Sequence, residues 1–326
     1  MNTRKNREEI SAKRLSALAF VLGGGALLAL SLQAFLSFAI PTQAQMQTQA
    51  DTQGELHAPA VANPFENIAI EARAVFVFDL KKRSVLFARN ENEKLPLASV
   101  TKLMTALVAR ENLSEGVVVT LTGKDISVEG DSGLRTGERW RLGDLLSVML
   151  LISSNDAAHA VAGFVWSAGQ PNADMENARS KFIGMMNEKA LALGLTQTEF
   201  FNESGLDIEQ MKNGGYGSAH DVALIFAELW GKYPETIEIT ARKDARIVSQ
   251  DDIAHILPNT NEIVGKISGL VASKTGYTSL AGGNLAIIFD RGIGDPVVVV
   301  VLGSTYKGRF DDMEKLVEAA RKVSGE

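Results

Sequence analysis

From Leu15 to Ile40 no residue is charged. The stretch LSALAFVLGGGALLALSLQAFLSFAI is long enough to cross a hydrocarbon core as a helix. A core helix of a soluble domain keeps a polar stripe, whereas this run is apolar on all sides apart from scattered Ser and one Gln. Two membrane readings follow. One is a signal peptide cleaved at the small residues near Thr42-Gln43-Ala44, the other an uncleaved signal anchor. The run exceeds the ~7–15 apolar residues of a usual signal peptide, which favours the anchor. In either case the basic flank, residues 1–14, stays in the cytoplasm and everything after Pro41 goes outside. The expected location is the inner (cytoplasmic) membrane, crossed once, with the remaining chain on the periplasmic or extracellular side.

Residues 41–66 are rich in Gln, Thr and Ala and poor in large apolar residues, so they read as a flexible tether. Residues 67–326 read as one mixed α/β unit of the α+β kind. The chain contains no cysteine, which excludes disulfide frameworks, Cys-based zinc sites, iron–sulfur clusters and thiol nucleophiles. Residues 1–41 hold five bases against Glu8 and Glu9, a net of +3; with −6 overall, −9 falls on the rest. Such an acidic body argues against nucleic acid as a partner, because phosphate binding needs a basic surface.

Within the body, ARAVFVFDL and SVLFARN around the KKR turn predict an opening β-hairpin. ASVTKLMTALVAREN follows Pro96 with apolar residues Val100, Leu103, Met104, Leu107 and Val108 at helical spacing. A short strand is expected at Val117–Leu121. LGDLLSVMLLISSNDAAHAVAGFVW then predicts helices interrupted at Ser153-Ser154-Asn155, and further helices are expected near 176–193 and 218–231. ISGLVASKTGYTS, GGNLAIIFD and PVVVVVLGS read as three strands, and FDDMEKLVEAARKV as a closing amphipathic helix. Strands at both ends with helices between imply one sheet assembled from distant parts of the chain.

The four histidines, His57, His159, His220 and His255, show no HExxH or other close metal-ligand spacing, so no metal is expected. No GxSxG elbow supports a Ser-His-Asp hydrolase either. Ser99-Val100-Thr101-Lys102 is more informative: a Ser and a Lys three apart at a helix start put hydroxyl and amine on one face, within hydrogen-bonding reach. An alcohol needs a base to become a nucleophile, and an amine serves once burial and neighbouring charge lower its pKa. The spacing recurs at Ser304-Thr305-Tyr306-Lys307, which reads as a strand-end coincidence. At Ser99 the backbone N–H also lies at the positive end of a helix, where an oxyanion is stabilised. Ser153-Ser154-Asn155 lies between two helical runs and Lys274-Thr275-Gly276 on the first late strand, where Gly lets a ligand approach the backbone.

In the order SxxK, SxN, KTG these segments match the signature of penicillin-binding proteins and class A β-lactamases. Over about residues 68–323 the chain resembles the low-molecular-mass penicillin-binding proteins, the serine D-alanyl-D-alanine carboxypeptidases of peptidase family S11. LPLASVTKLMTALVA, LLISSNDAAHAVA, FFNESGLD, SKTGYTSLAGGNLAI and TYKGRFDD all fall in the family's order. The resemblance implies a serine β-lactamase/transpeptidase-like fold, an antiparallel sheet packed against a helical cluster with the site in the cleft between them.

It also implies roles. Ser99 would be the nucleophile that attacks the carbonyl of the penultimate D-Ala, and Lys102 the base that takes its proton. Ser153 would relay a proton to the leaving amine, while Asn155 would hold the substrate backbone and fix Lys102. Lys274 would keep Lys102 neutral and attract an anionic substrate; Thr275 and Gly276 would line the docking strand. The N–H groups of Ser99 and Tyr277 would form the oxyanion hole, and Arg309 would either recognise the terminal carboxylate or be an exposed residue opening the last helix. The implied partners are peptidoglycan stem peptides, β-lactams as covalent inhibitors and, through the N-terminal helix, the membrane; no cofactor is implied.

Three departures from the family pattern stand out. Ser154 occupies a position where Gly is common. The chain ends at Glu326, so the β-rich C-terminal domain and amphipathic anchor of many relatives are expected to be missing, with the N-terminal span supplying attachment. No EPxLN-like segment supplies the Glu that class A β-lactamases use in deacylation. The expected activity is therefore a D-Ala-D-Ala carboxypeptidase, with a DD-endopeptidase or a catalytically idle cell-wall peptide-binding module as alternatives.

Overall fold

A computed structural model describes residues 63–130, 132–168 and 175–323. The apolar run 15–40 and His57 lie outside the described residues; among the described residues no helix is long and apolar enough to cross a membrane. The body is built on a five-stranded antiparallel sheet. Its strands are β1 (Ala74–Asp79), β2 (Ser84–Arg89), β3 (Leu270–Thr278), β4 (Gly282–Asp290) and β5 (Pro296–Ser304), in the spatial order β3-β4-β5-β1-β2. The expected closure of the sheet from both chain ends is therefore present: β1 pairs with β5 from Ala74↔Leu302 to Asp79↔Val297.

Both faces of the central strands are covered, which explains why PVVVVV is apolar throughout instead of alternating. On one face Val75, Val77, Ile287, Val299 and Val301 pack with Phe310, Met313 and Leu316 of the closing helix α6 (Gly308–Lys322). On the other lies the helical cluster: α1 (Lys102–Asn112), α2 (Leu142–Leu151), α3 (Asn155–Ser167), α4 (Met175–Ala192) and α5 (Ala219–Lys232). The His220 ring of α5 meets Phe76 edge-on at 5.2 Å.

Two expectations need adjustment. Phe65, placed in the tether, is 4% exposed and stacks on Phe87 at 5.1 Å, so the packed body starts before residue 67. Its ring removes enough apolar surface from water to hold the entering chain. Ser99 does not sit in the first turn of an α-helix but in a 3-10 turn, Ala98–Thr101, with α1 starting at Lys102. The reason lies in the chain before it. Leu95–Pro96 is a short strand paired with Gly215–Gly217, and the buried Asn284 of β4 donates to both Pro96 O and Leu97 O at 3.0 Å. Ala98 then turns through φ +47°.

Candidate active site

The 3-10 turn places Ser99 at the cleft between β3 and the helical cluster. One turn on, Lys102 is fully buried, and its Nζ lies 3.0 Å from Ser99 Oγ, 2.8 Å from Asn155 Oδ1 and 2.9 Å from Ser204 O. An ammonium would donate to all three. A neutral amine has two N–H donors for Asn155 and Ser204, and its lone pair then faces the Ser99 hydroxyl. Burial lowers the Lys102 pKa to about 7, against the opposing charge of Glu203.

Ser153 and Asn155 come from the break between α2 and α3. Ser153 takes a left-handed φ of +64°, strain of the kind that persists where surrounding contacts fix a functional geometry. Ser154 does more than fit: its Oγ accepts from Ala157 N as the N-cap of α3 and lies 2.6 Å from Ser132 Oγ. Capping fixes the first turn of α3, and with it Asn155, whose Nδ2 donates to Glu129 O at 2.8 Å. The Asn155 oxygen thus fixes Lys102 while one N–H of its amide is held by the Glu129 carbonyl.

From β3, Lys274 Nζ donates to Ser153 Oγ at 3.0 Å and to Thr275 O at 2.9 Å. Its pKa is held well below the usual ammonium value by burial, then by Lys102 and Arg309. Gly276 is required by proximity, since a Cβ there would come within 2.8 Å of Leu97 O and 3.2 Å of Ser99 N. The strand backbone thereby abuts the turn that carries the nucleophile. Ser99, Ser153, Thr275, Gly276, Tyr277 and Arg309 all line one cleft of about 330 Å³, together with Thr260, Glu262 and Tyr306.

Arg309 is 3% exposed rather than a surface residue: Nη1 donates to Gly276 O at 2.8 Å, and the guanidinium lies 4.4 Å from the Tyr306 ring centre. The second SxxK copy is spent elsewhere, as Ser304 Oγ donates to Asp312 and Thr305 Oγ1 to Glu71. Of the described histidines, His159 pairs with Asp125 and His255 with Glu138, both at 2.7 Å, away from the cleft.

Four participants are absent from the sequence reading: the Ser204 carbonyl, Asn284, Thr260 (its Oγ1 2.6 Å from Thr275 Oγ1) and Tyr306. The segments FFNESGLD and GGNLAI carry the first two, so the signal was present as order without a role.

Residues 58–305 match the family Peptidase_S11, described as D-alanyl-D-alanine carboxypeptidase. The chain belongs to this family. Peptidase_S11 relatives include the D-alanyl-D-alanine carboxypeptidases DacF of Bacillus subtilis (strain 168) and DacC of Escherichia coli (strain K12), each 31% identical. The alignments cover 78% and 79% of this chain. The chain spans 63% of the length of each of these two relatives. Among solved structures, ampicillin-bound penicillin-binding protein D2 from Listeria monocytogenes is 29% identical with a TM-score of 0.64. That match covers 78% of this chain and 99% of that one. The Peptidase_S11 fold, an antiparallel sheet with helices, is thus the one that the sequence resemblance implied.

Proposed function

We propose that this protein is a serine-type D-Ala-D-Ala carboxypeptidase that removes the terminal D-alanine from peptidoglycan pentapeptide stems through a Ser99 acyl-enzyme. The observation that carries the proposal is the Lys102 amine, 3.0 Å from Ser99 Oγ with two other acceptors in place. Lys102 takes the hydroxyl proton as Oγ bonds to the carbonyl carbon of the penultimate D-Ala. The oxyanion forms beside the N–H groups of Ser99 and Tyr277, where one such donor is typically worth about 10²–10³ in rate. The C–N bond then breaks, and the proton reaches the leaving amine through Ser153, which Lys274 holds. Water cleaves the ester and restores Ser99. Arg309, a planar guanidinium at the cleft wall, receives the substrate carboxylate. The ampicillin-bound relative supports β-lactams as acylating inhibitors of the same serine.

The test is release of D-alanine from a synthetic pentapeptide, run beside a cross-linked dimer. Release from the pentapeptide alone is expected; cleavage of the dimer alone replaces the reading with an endopeptidase, and neither leaves an idle binding module. Lys102 acts only when neutral, so the rate should rise as pH passes upward through about 7. A flat profile from pH 6 to 9 removes Lys102 as the base.

The N-terminal run is proposed as an uncleaved, single-pass anchor that holds the body outside the cytoplasm. The mature protein should begin at or near Met1 and stay with membranes through a high-salt wash. An N-terminus just after Ala44 makes the run a cleaved signal peptide.

A further inference from the structure

Beside the segment that holds Lys102 lies an ion pair with a buried carboxylate and a partly exposed guanidinium. Glu203 is 2% exposed, and Nη2 of Arg179 on α4 donates to its two carboxylate oxygens at 2.9 and 3.1 Å. The pair is rigidly tied to the base: the next residue, Ser204, provides the carbonyl that holds Lys102 Nζ, and Thr105 of α1 donates to Glu203 O at 2.6 Å. We propose that Arg179 and Glu203 are positioning residues for the reaction, with the guanidinium cancelling a carboxylate that would otherwise keep Lys102 charged and unable to take the Ser99 proton. This rests on the reading of Lys102 as the base.

The chemistry is an imposed balance of charge. A buried carboxylate favours the ammonium form of a nearby lysine, and Glu203 indeed pulls the Lys102 pKa upward, against burial. An isolated carboxylate here would defeat the lowering that burial supplies. Removing the carboxylate takes away that upward pull. The pair therefore lets burial set the protonation of Lys102 while Glu203 keeps its loop in place.

At the C-terminal end of α1, Arg110 pairs with Glu115 and Glu235, and Glu111 with Lys189 and Lys232. Asp156 is buried in the first turn of α3, next to Asn155. Lys274 of β3 has its own pKa lowered by burial, then by Lys102 and by Arg309 of α6, so the two amines disfavour being charged together. On α5, Asp221 accepts from Gln197 N and Thr198 Oγ1. On α2, Asp144 lies beside Arg141 and Glu115, at the far end from the site. Among these, Glu203 is the carboxylate whose neighbouring carbonyl binds Lys102 directly.

The experiment is the rate of acylation by a labelled penicillin from pH 5 to 9, on the full chain and on Glu203→Gln, Arg179→Gln, Arg179→Lys and the double Glu203→Gln/Arg179→Gln variant. The rise near pH 7 is expected to move down by about one pH unit in Glu203→Gln and up by about one in Arg179→Gln, the size of a single nearby charge. It should return toward the parent in the double variant and stay close to the parent in Arg179→Lys. A purely structural pair would lower the plateau and leave the midpoint unmoved; that result in Glu203→Gln, which needs no folded Arg179 variant, overturns the inference. A parent chain without any rise near pH 7 overturns it together with the role of Lys102.

Discussion

Ser99→Ala is expected to abolish covalent capture of a labelled penicillin and to lower D-alanine release by about 10⁴-fold or more, the scale of losing a nucleophile that acts as one unit with its base. Intact-mass measurement after exposure to penicillin should show one adduct on the parent and none on the variant. An adduct that survives would move the nucleophile to another hydroxyl in the cleft, with Ser153 the first candidate. The size of the effect follows from the geometry. Lys102 has no second hydroxyl among its hydrogen-bond partners, which are Ser99, Asn155 and the Ser204 carbonyl.

Gly205→Ala is the substitution outside the three motifs expected to do most damage. Gly205 sits at φ +80°, and a Cβ there would fall 1.8 Å from Ala98 O. The left-handed backbone alone disfavours alanine by about 1–2 kcal/mol, and one of two chain segments must also move. One carries Ser204, which holds Lys102; the other is Ala98, directly before Ser99. A loss of about 3–4 kcal/mol is expected, lowering the unfolding midpoint by roughly 10 °C. Penicillin labelling should fall even at temperatures where the variant is folded. A variant with the parent's midpoint and labelling rate would show that this packing does not hold the base.

The parts of the site legible in the sequence are those fixed by local spacing. Ser99 and Lys102 are three residues apart, so any helical turn brings them together, and the break at Ser153-Ser154-Asn155 interrupts a helical pattern visibly. That strands from both ends of the body share one sheet was legible from the apolar runs at either end with helical patterns between, whereas their spatial order was not. The contacts that convert the motifs into a working arrangement were not legible. The Ser204 carbonyl faces Lys102 because Gly205 turns left-handed, and a carbonyl has no sequence signature. Asn284 holds the segment before Ser99 from a strand far along the chain. The main cause of the lowered Lys102 pKa is burial, which spacing alone cannot measure, whereas the sequence pattern drew attention to the charge of Lys274.

Because β1 pairs with β5, the sheet cannot be completed until Pro296–Ser304 has been synthesised. The turn bearing Ser99 leaves the ribosome early, but Gly276, which packs against it, and Arg309 arrive only after roughly 200 further residues, on the order of 10–40 s at ordinary elongation rates. Until then the nascent chain holds a serine and an amine with nothing to press them into a cleft. A site built this way is incomplete until Arg309 has been synthesised, so a nascent chain that stops short of it carries the first two motifs without the cleft.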